Sequence, residues 1–277
     1  MNRPLLIAVT ICAAFAAGCQ TVDTTKAGAV GVERHQRMAV SSEEVNAGSQ
    51  KAYGQMMAEA QKKGALDRDA AQVARIKNIV GRLVPQTAAF RDDAVKWPWE
   101  VHVISLNEVN AWCMPAGKMA IYTGLISKLQ ATDDELAAVM GHEIAHALRE
   151  HSREQMSQQA LTQVGIGIAG ALFGIGDLGQ NVAGMVADVT LFKPKSRGME
   201  TEADRIGVEL AARAGYNPQA AISLWQKMEK LAGSQPPQFL STHPSNESRI
   251  ADLQAYSAKV MPLYQAATKG GSASAGK

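Results

Sequence analysis

The residues best suited to chemistry sit close together. The stretch "GHEIAHALREH", residues 141 to 151, carries three histidines and two glutamates. His142 and His146 are four apart, so on a helix both imidazoles project from one side and reach a single ion. Glu143 stands beside them, where it can take a proton from water held at that ion. This H-E-x-x-H spacing is that of a hydrolytic zinc site: two neutral nitrogen ligands, a carboxylate for proton transfer and a position left for water. On the same helical count His151 points to the far side and is not expected to be a ligand. Arg149 and Ser152 occupy the positions where a metzincin continuation needs glycine and a third histidine, which excludes that class.

A third ligand must therefore come from elsewhere. "SRGMETEADRIGVELAARAGYNP", residues 196 to 218, reads as a helix closed by Gly215 and Pro218, with Glu200 and Asp204 one turn apart on one face. Glu200 would complete a two-histidine, one-carboxylate set. Asp204 would hold a ligand histidine by its other ring nitrogen. Glu202, about 200° round the helix from Glu200, is the rival carboxylate. Acidic residues near a helix N-terminus also serve the helix dipole, so spacing alone leaves the choice open.

The elements that position these groups follow from local pattern. Thr132 and Glu135 form a capping box, with Asp133 and Asp134 at the positive end of the dipole, so the H-E-x-x-H helix starts near Asp133. Leu136, Val139, Met140, Ile144, Ala147 and Leu148 make its apolar face, flanked by the two histidines. Upstream, helices are predicted over 42–63, stopped by Gly64, and over 67–84, capped by Asp67, with Val73, Ile76, Ile79, Val80 and Leu83 on one face. "WEVHVIS" (99–105), "VNAWCM" (109–114) and "KMAIYT" (118–123) read as strands, and only helices follow. The fold class is α+β, predominantly helical, with a small sheet beside the H-E-x-x-H helix. The uncharged "QMSQQALTQVGIGIAGALFGIG" (155–176) is predicted as a mobile helical flap over the cleft; its apolar part, 164–175, is too short to cross a bilayer of about 30 Å. "FKPKSRG" (192–198) reads as a loop with solvated cations.

The N-terminus has a different character. "MNRPLLIAVTICAAFAAGCQ" runs from Arg3 through an uncharged stretch to small residues before Cys19, the layout of a secretory signal over 1–18. "AAGC" resembles a bacterial lipobox, with Ala16 in place of the commoner leucine, and makes Cys19 the lipidated residue. Gln20, not an aspartate, then implies sorting to the outer membrane. Residues 19–41 are expected to be a lipid-anchored tether, 42–262 the functional domain and 263–277 a disordered tail. Cys12 leaves with the signal and Cys19 carries lipid, so Cys113 has no disulfide partner. With Lys+Arg 28 against Asp+Glu 26 and no long basic run, the chain lacks the footprint of a nucleic-acid binder.

"HEIAH", "SRGMETEAD" and "STHPSNESRI" (241–250) together resemble the M48 metallopeptidases, and more narrowly the periplasmic lipoprotein branch in Gram-negative bacteria. The resemblance spans roughly 40–260. It implies a gluzincin-like fold, one zinc per chain held by His142, His146 and Glu200, and Glu143 as general base. In "NAWCMPAGKMAIYTGL" it implies an edge strand to which an extended peptide could add, with Ala116 departing from the usual glycine. His243 is the candidate donor to the oxyanion, alongside two other readings: a zinc cap that keeps the enzyme latent, as in relatives, or a residue that merely opens the last helix with Pro244. Arg249 is expected in a structural salt bridge. The implied function is a zinc endopeptidase of the cell envelope, facing the periplasm from the outer membrane and acting on unfolded or misassembled proteins. The alternative is a zinc-dependent binding or assembly factor for outer-membrane proteins with little proteolysis.

Overall fold

A computed structural model describes residues 20–167, 178–232, 237–244 and 248–274. The expected signal, Cys19 and residues 168–176 of the expected flap lie outside the described residues. The segment predicted as a tether is instead a folded arm. Its strands β1 (Gln20–Val22) and β2 (Gln36–Met38) pair antiparallel, with Gln20 opposite Met38. Val30, Val32, Gln36 and Met38 are buried against the body. The Lys26 amide donates to the Phe90 carbonyl at 2.7 Å and the Val30 amide to the Glu209 carboxylate at 2.9 Å. Apolar residues in this arm are few and follow no period, so their burial comes from tertiary contact and leaves no sequence signal.

Helix α1 (Ser42–Lys62) is capped by the Ser41 hydroxyl and stops at Gly64 with φ 60°. Helix α2 (Ala70–Leu83) is capped by Asp69, not by Asp67. Asp67 has φ 50° and instead accepts the Val103 amide at 2.9 Å, tying the approach of α2 to the sheet.

The three predicted strands form as β3 (Glu100–Ile104), β4 (Ala111–Met114) and β5 (Lys118–Tyr122). Their order is β3-β5-β4, with β3 parallel and β4 antiparallel to the central β5, so β4 is an edge as expected. Alternation divides the side chains between two cores. Ala111, Cys113, Met119 and Ile121 join one with Leu136, Met140 and Ile144, whereas Trp112, Met114, Ala120 and Tyr122 join the other with Val45, Tyr53 and Val186. A sheet covered on both faces explains why β4 and β5 read as continuous apolar runs. In the turn between them Ala116 adopts φ 59°, a left-handed conformation costing a non-glycine residue roughly 1–2 kcal/mol.

The rest is helical: α3 (Thr123–Lys128), α4 (Asp133–Leu148), α5 (His151–Gly167), α6 (Leu178–Leu191), α7 (Arg197–Arg213), α8 (Ala220–Ala232), α9 (Gln238–Thr242) and α10 (Arg249–Ser274). Two expectations are corrected. The first part of the predicted flap belongs to the body, since Met156 and Ser157 on α5 are buried and the Ser157 hydroxyl accepts the Val40 amide at 3.2 Å. The predicted tail is also helical as far as Ser274. Among the described residues no helix is long and apolar enough to cross a membrane.

Candidate metal centre

Helix α4 begins as its sequence dictates. The Thr132 hydroxyl accepts the Glu135 amide at 3.3 Å, and Glu135 accepts the Thr132 amide at 2.9 Å. Lys227 and Ser223 of α8 then bind the same carboxylate, both at 2.7 Å, which fixes the start of the helix against its neighbour. Every residue from Glu135 to Leu148 is buried, so α4 is a central helix and not a half-exposed amphipathic one. It crosses α7 at two glycines. A Cβ on Gly141 would lie 2.9 Å from the Gly207 carbonyl oxygen, and one on Gly207 would lie 2.8 Å from the His142 amide nitrogen. Only hydrogen fits there, and this close approach carries the first turn of α7, capped by Ser196, over the α4 histidines.

His142, His146, Glu200 and His243 offer ligand atoms that all lie within 4.8 Å of one another. His146 Nε2 is 3.0 Å from His142 Nε2 and 3.4 Å from Glu200 Oε1. His142 Nε2 is 3.5 Å from Glu200 Oε2. Glu200, not its rival Glu202, therefore faces the histidines. All four residues are at most 5% exposed.

The arrangement fits a cation. His142 Nδ1 lies 2.9 Å from Asp204 Oδ1, the contact expected of Asp204; donating its proton there leaves Nε2 as a lone pair pointing into the cluster. His146 Nδ1 is likewise engaged, 2.7 Å from His151 Nδ1, so its Nε2 also points inward as an acceptor. Ring lone pairs and a carboxylate converging on one point repel unless a positive charge lies between them. Buried Glu143 Oε1 also lacks a hydrogen-bond partner, as an oxygen left for water would.

Protonation follows from the surroundings. Burial alone would raise Glu200, but His243, His146 and His142 hold its carboxyl well below the usual range, so it is an anion. Burial pushes His146 well below its ordinary value, giving the neutral ring a ligand needs. Burial also lowers His142, yet the Asp204 hydrogen bond and the nearby Glu200 and Glu143 carboxylates outweigh it and raise the value. Burial pushes Glu143 up, toward the range of a group that accepts a proton and later returns it.

His243 does not merely open the last helix. It ends α9, stacks on Phe239 with ring centroids 4.4 Å apart, and sets Nδ1 3.1 Å from Glu200 Oε1 and 3.2 Å from His142 Nε2. Its Nε2 lies 3.5 Å from Glu143 Oε1. Arg249 makes the expected salt bridge, with Nη2 2.7 Å from Asp204 Oδ1 and 3.1 Å from Glu200 Oε2, and its guanidinium lies 3.3 Å from the centre of the Trp225 ring.

Sequence reasoning missed two groups. His151 was expected on the far side of a continuous helix, but Glu150 takes φ 50°, breaks the helix and turns His151 back beneath His146. Lys195 was expected in solvent; it is 5% exposed, its Nζ donates to the Val189 carbonyl at 2.7 Å, and burial lowers it to about 8. Neither displacement has a local signal, since both depend on how the flanking helices pack.

Comparisons with known proteins agree with this geometry. The chain is 38% identical over 151 residues to the mitochondrial metalloendopeptidase OMA1 of Arabidopsis thaliana, covering 54% of this chain and 30% of that one. It is 31% identical over 207 residues to the mitochondrial metalloendopeptidase OMA1 of Saccharomyces cerevisiae, covering 69% and 57%. With the beta-barrel assembly-enhancing protease of Escherichia coli it shares 31% over 183 residues, covering 62% and 37%. The chain thus spans less than two thirds of the length of each of these relatives. The family model of peptidase family M48 matches residues 70–257, which contain the whole histidine and carboxylate cluster, and the chain belongs to that family of zinc metallopeptidases.

Proposed function

We propose that the chain is a zinc metalloendopeptidase that hydrolyses unfolded or misassembled proteins of the bacterial cell envelope. The observation that carries the reading is the convergence of His142, His146 and Glu200 on one point with Glu143 beside them, inside the segment matched by the family. His142, His146 and Glu200 are its zinc ligands, and Asp204 orients His142. A zinc ion held there supplies Lewis acidity, which polarises a peptide carbonyl and makes water nucleophilic near neutral pH. Glu143 takes the proton of the attacking water and delivers it to the leaving amine, a task suited to a carboxyl whose pKa burial has raised. The edge strand β4 is the element on which an extended substrate adds by main-chain hydrogen bonds.

His243 shapes when this happens. Its Nδ1 stands among the ligand atoms and not off to one side, an arrangement that favours the capping role over the oxyanion donor. We read the buried cluster as a latent state in which His243 fills the position needed by water and holds Nε2 toward Glu143.

The envelope assignment rests on the N-terminal sequence. Arg3 is the only arginine before Arg34, unlike an arginine-rich mitochondrial transit segment, whereas the apolar run ending in "AAGC" suits a bacterial lipoprotein signal. With Cys19 as the lipidated residue the enzyme is an outer membrane lipoprotein facing the periplasm. The name of the Escherichia coli relative favours a second reading, in which the chain assists assembly of outer-membrane proteins and cleaves little. Casein cleavage by the purified chain and by its His243→Ala variant, in which the cap is removed, decides between them: the peptidase reading expects cleavage that stops on chelation and returns with zinc, and absence of cleavage by both proteins would overturn it. On a short peptide His243→Ala should raise the rate; a fall by about 10² to 10³ would restore the donor role.

A further inference from the structure

The two ligand histidines are held by different means. His142 meets a carboxylate directly, through Asp204. His146 meets another histidine: Nδ1 of His146 and Nδ1 of His151 are 2.7 Å apart, and Nε2 of His151 is 3.0 Å from Glu202 Oε2. Proton bookkeeping along this line has one solution compatible with a ligand. His146 offers Nε2 to the cluster, so its proton sits on Nδ1 and is donated to His151. His151 then carries its own proton on Nε2 and donates it to Glu202. The Glu202 carboxylate therefore sets the tautomer of both rings, although it touches neither the ion position nor Glu143.

Glu202 is itself held from two directions. Arg149 Nε donates to Oε2 at 2.9 Å, and the Arg34 guanidinium engages both oxygens, Nε on Oε1 and Nη2 on Oε2 at 3.2 Å. Arg34 belongs to the N-terminal arm. The arm is fastened at the same place by Arg149 Nη2, which donates to the Arg34 carbonyl at 2.7 Å, and by Gln36 Nε2, which donates to the Arg149 carbonyl at 2.7 Å. Arg34 also pairs with Glu154 at 2.6 Å, so its fork is fixed by carboxylates on α5 and α7.

We propose that His151, Glu202 and Arg34 are positioning residues for the zinc ligand His146, and that the N-terminal arm is through Arg34 a working part of the metal centre. The inference rests on the reading of His146 as a zinc ligand. It makes zinc retention depend on a segment lying between the expected membrane anchor and the body, and a force that peels the arm away loosens the metal without touching a ligand.

The test is the zinc affinity of the full chain, measured by competition with a chromophoric chelator. His151→Phe keeps a planar ring in place, though a larger one, and removes both nitrogens, and should weaken zinc binding by about 10- to 100-fold. Arg34→Ala, at a side chain 40% exposed and so the safer change for folding, should weaken it about tenfold, with partial recovery in Arg34→Lys. Because both act along one line, the double variant should bind zinc no more weakly than His151→Phe alone. Lys26→Ala removes an exposed arm contact to Asp92 at 2.6 Å and should leave the affinity unchanged. Wild-type affinity in Arg34→Ala, multiplicative losses in the double variant, or an equal loss in Lys26→Ala would each overturn the proposal. Failure of the wild-type chain to bind zinc at all would instead overturn the reading beneath it, and the proposal with it.

Discussion

Asp204 and Glu202 lie two residues apart on α7 and face opposite ways, and each ends at a different histidine of the cluster, Asp204 at His142 and Glu202, through His151, at His146. On the His142 side a buried aspartate meets the ring directly and is itself neutralised by Arg249, 2% exposed and packed on Trp225. On the His146 side the carboxylate acts through His151 and is neutralised partly by Arg34, which is 40% exposed. One support is sealed inside the body; the other runs out through a half-exposed guanidinium to the N-terminal arm. The lesson is that burial decides the cost of disturbing each. A charge that cannot reach water has no alternative partner, whereas a half-exposed guanidinium can be released into solvent.

The comparison breaks most severely at Arg249. Arg249→Met removes from the interior the guanidinium that pairs with both Glu200 and Asp204 and should cost about 3–5 kcal/mol, read from the denaturant midpoint of the metal-free chain. A midpoint unchanged from wild type would show that the two supports are energetically alike. Asp204→Asn is gentler on the fold, since it keeps the shape of the side chain. It should lower zinc affinity by about 10- to 100-fold, more than Arg34→Ala does; the reverse order would contradict the contrast between a sealed and a half-exposed support. The smallest effect is expected at the start of α4, which serves both histidines equally. Thr132→Ala should cost about 1 kcal/mol of stability and, once folded, leave zinc affinity as it was. A change in affinity there would mean that the helix cap, and not the two supports, sets the ligand geometry.

How much of this was legible in the sequence depended on how local each cause was. The H-E-x-x-H pair, the Thr132–Glu135 box and the Glu200/Asp204 spacing are set within one or two helical turns, and the structure places each as its spacing suggests. The three strands were legible because their β-branched and aromatic residues are bounded by turn residues. Spacing alone could not choose between Glu200 and Glu202, since that depends on which face of α7 meets α4 at the Gly141–Gly207 crossing. His151 was lost because helical counting was continued through Glu150, whose left-handed backbone no propensity argument requires. The arm was lost for a related reason. Val30, Val32 and Met38 lie in apolar runs too short and irregular to mark an element, and their burial exists only once Phe90, Glu209 and α5 are in place.

The proposed peptidase requires that the cluster hold zinc for Glu143 to work beside. The most direct measurement is zinc content together with peptide hydrolysis in Glu143→Gln. Glutamine keeps the volume of the side chain and cannot accept the water's proton, so zinc should remain at the wild-type level while hydrolysis falls by about 10² to 10⁴. Wild-type hydrolysis in that variant would contradict the claim.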